Sequence, residues 1–154
     1  MNAIAPLRPS ELHVCRVRLP AGPIAAPEAR SRVRAVIRAW DVPVDPGVAV
    51  LLTSELVTNA LRHEAGETVT LAITCSFAQL RIDVHDTSRL LPVLVEAPAD
   101  AEDGRGLMLV ATLSDQWGAY STPAGKAVYF TLAFQADLAE SGVRGPQGVR
   151  TWGL

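Results

Sequence analysis

Hydrophobic and polar positions follow one another along this chain in blocks of two different periods. Between Leu12 and Leu19, Cys15, Val17 and Leu19 share one phase and Arg16 and Arg18 the other, the two-residue period of a half-buried strand. Val33, Val36, Ile37 and Trp40 then recur at helical spacing behind Pro27, a first-turn proline, while Arg30, Arg32, Arg34 and Arg38 fill the other faces. The prolyl linker 41–47 ends in Asp45-Pro46, an N-cap followed by a first-turn proline, and predicts a second helix from about residue 46 to 63. Val69, Leu71 and Ile73 alternate with threonines and Ala72. After a short turn Leu80, Ile82, Val84 and Asp86 alternate with Arg81, Asp83 and His85, so the two runs form a hairpin. Residues 87–103 hold Pro92, Pro98, Glu96, Asp100, Glu102 and Asp103 without a period and are expected to be a lid-like loop. Leu107, Met108, Val110, Ala111 and Leu113 mark a short amphipathic helix. Residues 116–120, the turn 121–125 and a strand through Val128, Phe130, Leu132 and Phe134 make a last hairpin. Residues 1–10 read as a flexible lead-in and 135–154, with four of the eleven glycines, as a flexible tail, leaving one domain over 11–134. The order β-α-α-β-β-loop-α-β-β predicts an α+β two-layer sandwich, with helices on one face of a mixed, mostly antiparallel sheet of about five strands.

Composition narrows the function. A chain of 154 residues with 49% hydrophobic and 19% charged residues suits one domain with a real core. Fourteen basic against sixteen acidic residues give a net charge of -2, which disfavours direct nucleic-acid binding, since that needs clustered cations. The apolar stretches are too short to cross a membrane, and the first twenty residues lack a basic-then-apolar leader, so a cytoplasmic protein is expected. Cys15 and Cys75 are far apart in sequence, with no Cys/His cluster, and read as buried thiols rather than a disulfide or a zinc site. Arginine outnumbers lysine 13 to 1.

Three places carry candidate chemistry. Glu55, Asn59 and His63 are spaced by four and form a column on the second helix, where an Asn oxygen beside a carboxylate suits Mg²⁺ and the Glu could activate a nucleophile. With Ser54, Thr58 and Arg62 the same residues also form the polar arc of an ordinary amphipathic helix. Asp86 shares its strand phase with Leu80, Ile82 and Val84, so its carboxylate points coreward and needs a donor, such as a ligand N–H, no Lys or Arg being evident at neighbouring core positions. The alternative is that the strand ends at His85 and Asp86 caps the turn with Thr87 and Ser88. Gly104-Arg105-Gly106 before an apolar helix offers backbone N–H groups and a helix dipole to an anion such as phosphate, or is a plain loop-to-helix junction.

Taken in order, ELVTNALRH (55–63), VHDTS (84–88), GRGLMLV (104–110) and GKAVYF (125–130) resemble the GHKL ATPase superfamily, and within it the anti-sigma regulatory factor or protein-serine kinase family. The resemblance spans roughly residues 12–134. It implies a Bergerat ATP site in which Asn59 ligates Mg²⁺, Asp86 accepts from the adenine amino group, Gly104 and Gly106 line the triphosphate, and Glu55 is the catalytic base. Ser88, Arg105 and Leu107 complete the implied nucleotide contacts. Two departures stand out. Asp-x-Gly-x-Gly is replaced by Asp86-Thr87-Ser88-Arg89-Leu90, and the usual Gly-Thr of the last hairpin by Gly125-Lys126, where Lys126 is expected to reach a phosphate or to face water. The acidic run 96–103 would repel a triphosphate and is expected to turn toward a protein partner.

The function implied by the resemblance is that of an ATP- and Mg²⁺-dependent anti-sigma factor that sequesters a sigma factor and phosphorylates a serine of a STAS-type antagonist, acting on transcription without touching nucleic acid or membrane. A nucleotide-responsive binding module without kinase turnover is the alternative, and an interaction domain with no nucleotide a third. The sequence leaves the oligomeric state open, a homodimer included.

Overall fold

The computed structural model describes residues 12–63, 66–76, 78–89 and 105–135. The expected lead-in, the tail beyond 135 and most of the lid-like loop, with its acidic run, lie outside the described residues. Among the described residues, five strands and three helices follow one another as β1 (His13–Pro20), α1 (Ala25–Ala39), α2 (Pro46–His63), β2 (Thr68–Ser76), β3 (Gln79–Asp86), α3 (Arg105–Leu113), β4 (Gln116–Ser121) and β5 (Lys126–Ala133). The α+β sandwich read from the periodicity is therefore the observed architecture. The sheet order is β1-β2-β3-β5-β4, and each of the four strand pairs is antiparallel, so the sheet is not the mixed one expected. No parallel pair arises because β2–β3 and β4–β5 are hairpins, and β1 and β3 meet their partners head to tail.

Local chemistry accounts for the helix boundaries. Asp45 caps α2, its Oδ1 accepting from the Gly47 backbone N–H at 2.8 Å, with Pro46 in the first turn where no donor is missed. At the other end of α1 the Val42 N–H reaches the Ile37 carbonyl at 3.0 Å and the Asp41 N–H reaches that of Arg38 at 3.3 Å, a Schellman closure. Asp41 carries it with φ of 54°, a left-handed position where Gly is the usual occupant. Ile37 and Val42, the apolar pair that accompanies such a closure, are both buried.

The inner face of the sheet is built in cross-strand rows. Ile82 sits between Ile73 and Phe130, Val84 between Leu71 and Val128, and Leu80 between Cys75 and Leu132, all of them buried. Against these rows pack Leu52, Leu56 and Val57 of α2 and Val33, Val36 and Ile37 of α1, forming one core. Both cysteines are free, and burial pushes the Cys75 thiol up to about 12.

The opposite face carries the other phase of β3, and Asp83 there is not the solvated residue that alternation suggests. It is only 5% exposed. Arg81 grips both its oxygens, Nε to Oδ1 at 2.9 Å and the guanidinium nitrogen Nη2 to Oδ2 at 3.0 Å, and the Tyr120 hydroxyl donates to Oδ2 at 2.9 Å. The guanidinium carbon lies 4.0 Å from the centre of the Tyr129 ring, and that ring lies across Gly118, where a Cβ would come within 2.9 Å of it. A polar-aromatic cluster thus covers what a bare strand would expose. The Asp83 hydrogen bond raises the Arg81 pKa, while burial first and Asp83 second raise that of Tyr120.

Two expectations follow from this packing. At Gly125 a side chain would overlap the Asp86 carbonyl oxygen and come within 2.6 Å of the Thr87 Cα, both backbone atoms that cannot swing away. Gly125→Ala should therefore destabilise by more than about 3 kcal/mol in urea unfolding, beyond the usual range for a point substitution. His85 has its pKa lowered, first by burial and then by Arg16. The folded protein thus binds its proton less readily than the unfolded chain, and this contribution to stability is present above the ordinary imidazole pKa and lost as pH falls below it. The loss of melting temperature between about pH 7.5 and about pH 5.5 should be smaller in His85→Gln than in the unaltered protein.

Candidate functional site

The α2 column is present, and its members differ in surroundings. Glu55 and Asn59 are half-buried on one face of the helix. His63 closes α2, and its side chain lies outside the described residues. Ser54, part of the same polar arc, accepts a hydrogen bond from Arg30 of α1 at 3.0 Å, so that portion of the arc holds the two helices together. Thr53 likewise turns its hydroxyl onto the Ala49 carbonyl at 2.7 Å inside the helix.

Glu55 meets the start of α3. A Cβ at Gly106 would come within 2.5 Å of the Glu55 Oε2, so the missing side chain at 106 is what lets this carboxylate lie against the first turn of α3. Arg105 and Gly106 are the first residues of that helix rather than a loop before it, and the Arg105 side chain and Gly104 lie outside the described residues. The first four N–H groups of an α-helix have no acceptor within it, so this end offers donors to an anion. Leu107 puts its side chain into the core at 6% exposure, and only its backbone is left to contribute to such a site. Among the described residues the Asn59 Nδ2, which is buried, finds no hydrogen-bond partner. A buried amide that the fold leaves unsatisfied is a group expected to meet a ligand.

Asp86 both points inward and caps a turn. Its Oδ1 accepts from the Ser88 backbone N–H at 2.8 Å, which makes the Asx turn of one reading, while the side chain stays on the core side of β3, as in the other. The partner that the sequence left missing is Lys126. Its Nζ lies 2.9 Å from the Asp86 Oδ2, with both side chains at 0% exposure. Charge holds this pair more than alignment does, because the angles miss those of a hydrogen bond and, among the described residues, neither Oδ2 nor Nζ finds another partner. Lys126 therefore neither faces water nor is free to reach a phosphate, in contrast to the expectation from sequence. It starts β5 directly opposite Asp86, and the even-numbered phase of that strand, Val128, Phe130 and Leu132, is the core phase. Extending that phase one step back would have found it.

Around the pair the chain is stapled. Arg89 donates to the carbonyls of Thr122 at 3.0 Å and Pro123 at 2.8 Å, tying the segment after Asp86 to the β4–β5 turn. This is the segment where the expected glycine box is absent. A cavity of about 450 Å³ lined by Leu19, Glu28, Ser31, Arg32 and Ala35 includes none of these residues. Among the described residues no group of three or more His, Cys, Asp or Glu side chains could hold a metal, and no helix is long and apolar enough to cross a membrane.

Residues 19–132, most of the chain, match the histidine kinase-like ATPase domain. The chain belongs to this family. Membership implies ATP as the ligand. No curated protein sequence matches the chain. The phosphate end of such a site fits what this histidine kinase-like ATPase domain presents: an unsatisfied Asn59 amide, a carboxylate at Glu55 and the first turn of α3. The Asp86 carboxylate differs, in that each of its oxygens already faces a donor of the chain itself.

Breaking a buried ion pair strands a charge, whereas replacing both partners with apolar side chains does not. Asp86→Leu and Lys126→Met should each cost about 3–5 kcal/mol in urea denaturation, and the double variant should recover most of that loss.

Proposed function

We propose that this histidine kinase-like ATPase domain binds ATP with Mg²⁺ and regulates a sigma factor, phosphorylating a serine of a STAS-type antagonist. The observation that supports it best is the Glu55 carboxylate lying against Gly106 at the head of α3, a proton acceptor beside a phosphate-binding helix end. The order of ELVTNALRH, VHDTS, GRGLMLV and GKAVYF, similar to the anti-sigma regulatory factors, carries the assignment of partner.

Bound ATP·Mg²⁺ would supply the γ-phosphoryl group and the cation that offsets its charge. Asn59 would hold the metal through its amide oxygen, with water and phosphate oxygens as the remaining ligands. Arg105, Gly106 and Leu107 would give backbone N–H groups to the phosphates. Glu55 would take the proton of the attacking serine hydroxyl as the new O–P bond forms and the bond to the leaving ADP breaks, a general-base role.

A second reading has its own support. Lys126 on Asp86 and Arg89 on the β4–β5 turn constrain the base end of the site, which favours a domain that senses nucleotide and binds its partner without turnover. Two substitutions separate the readings. Asn59→Ala should lower both ATP·Mg²⁺ affinity, measured by calorimetry, and phosphate incorporation into the antagonist. Glu55→Gln should leave affinity largely intact while lowering transfer by about 10² to 10⁴. If Glu55→Gln loses binding as badly as Asn59→Ala, Glu55 is not the base, and if wild-type protein binds ATP yet labels no antagonist, the sensing module is the correct reading.

A further inference from the structure

We infer that Lys126 is a built-in competitor for the base-recognition carboxylate, so that this domain in its resting state holds a nucleotide by its phosphates and reads the purine amino group only when Lys126 lets go of Asp86. The inference rests on the reading that the domain binds ATP, and concerns how that same site is controlled.

A carboxylate that recognises an exocyclic amine must present a free oxygen to the incoming N–H. Neither oxygen of Asp86 is without a donor in front of it. Its Oδ1 is taken by the Ser88 N–H at 2.8 Å, and the Lys126 Nζ stands 2.9 Å in front of Oδ2, where a donor from a ligand would have to come. Both side chains are wholly buried, so water does not weaken the contact as it would at a surface. An entering amine must therefore displace the ammonium.

Three features make Lys126 a removable plug rather than a permanent seal. Its side chain is a flexible four-carbon stem with a point charge, able to pivot where a planar guanidinium would be fixed. Its N–H groups are not aligned on Oδ2, and among the described residues they find no acceptor, so the closed state leaves hydrogen-bonding capacity unused. Gly125, immediately before it, packs directly on the Asp86 carbonyl and Thr87, and Arg89 pins the same turn, so the backbone at this point is held and any release of Asp86 falls to the Lys126 side chain. The register Asp86 opposite Lys126 keeps the competitor aimed at the carboxylate whenever no ligand is there.

The consequence is a specific pattern of affinities. In the unaltered protein the 6-amino group should contribute little to binding, because gaining Asp86 means losing Lys126 from it. In Lys126→Thr the carboxylate is released, and the amine should count. The experiment compares ATP·Mg²⁺ with purine riboside triphosphate·Mg²⁺, which keeps the ring and phosphates but lacks the 6-amino group, by calorimetry on wild-type and Lys126→Thr protein. The expected ratio of affinities is near one for wild type and larger by about tenfold for Lys126→Thr, equivalent to about 1.4 kcal/mol. A merely structural lysine would change both ligands alike and leave the ratio unmoved, which overturns the inference. So does a wild-type ratio already as large as the variant's. Since Lys126→Thr strands a buried carboxylate and could fail to fold, Lys126→Gln, which is one bond shorter and keeps a neutral donor, is measured in parallel with the same expected direction. Even if neither variant folds, a wild-type ratio of about tenfold or more overturns the inference by itself. If no triphosphate binds the wild-type protein at millimolar concentration, the ATP reading itself falls and takes the inference with it, an outcome distinct from binding with an unchanged ratio.

Discussion

The contact between Asp86 and Lys126 sets the terms for one end of this fold. The inner face of the sheet is a series of apolar rows, and the row after Val84 and Val128 ends that series with a carboxylate facing an ammonium in complete burial. Neither charge could stay there alone, so the two residues commit β3 and β5 to a single register more firmly than the aliphatic rows do. The neighbouring backbone is shaped around them, with Gly125 close enough to Asp86 and Thr87 to exclude any side chain. Arg89 holds the departing strand to the same turn.

The outer face meets a similar demand in a different way. Asp83 is also a nearly buried carboxylate, but its partners are a two-pronged guanidinium and a phenol, with the arginine lying on Tyr129 and keeping part of its surface in water. Planar Arg geometry satisfies both oxygens and leaves nothing for a ligand. On the inner face the flexible lysine satisfies charge without satisfying direction. The same strand thus carries one carboxylate whose hydrogen bonds are satisfied and one whose acceptor capacity is not fully used.

Most of the fold was legible because it rests on periodicity. The 3.6-residue spacing of α1 and α2, the Asp45-Pro46 start and the two hairpins are local patterns, and all appear where the spacing puts them. The α2 column and the glycine at the head of α3 were legible as residues, and the fold adds that Glu55 and Gly106 meet. What could not be read depends on contacts between segments far apart in sequence. Phase alone placed Asp83 outward, and only the arrival of Tyr120 from another strand, with Arg81 turned along its own, explains its burial. Lys126 was misread for a simpler reason: its charge argued for solvent, while its position, two before Val128, argued for the core. Parallel or antiparallel pairing is likewise decided by which strands become neighbours, and no local pattern encodes that β3 adds to β5 rather than β4.

Lys126 is also the sole lysine among the 154 residues, and it has no solvent-accessible surface. Every other side-chain cation of the chain is therefore an arginine, whose guanidinium does not act as a nucleophile at neutral pH. Reagents and enzymes that act on lysine side chains, whether acylating agents, amine cross-linkers or ubiquitin ligases, would find no exposed ε-amine on this domain while it stays closed. Modification at the ε-amine itself would register only the moments when the interior comes apart, which turns the one buried lysine into a label for opening.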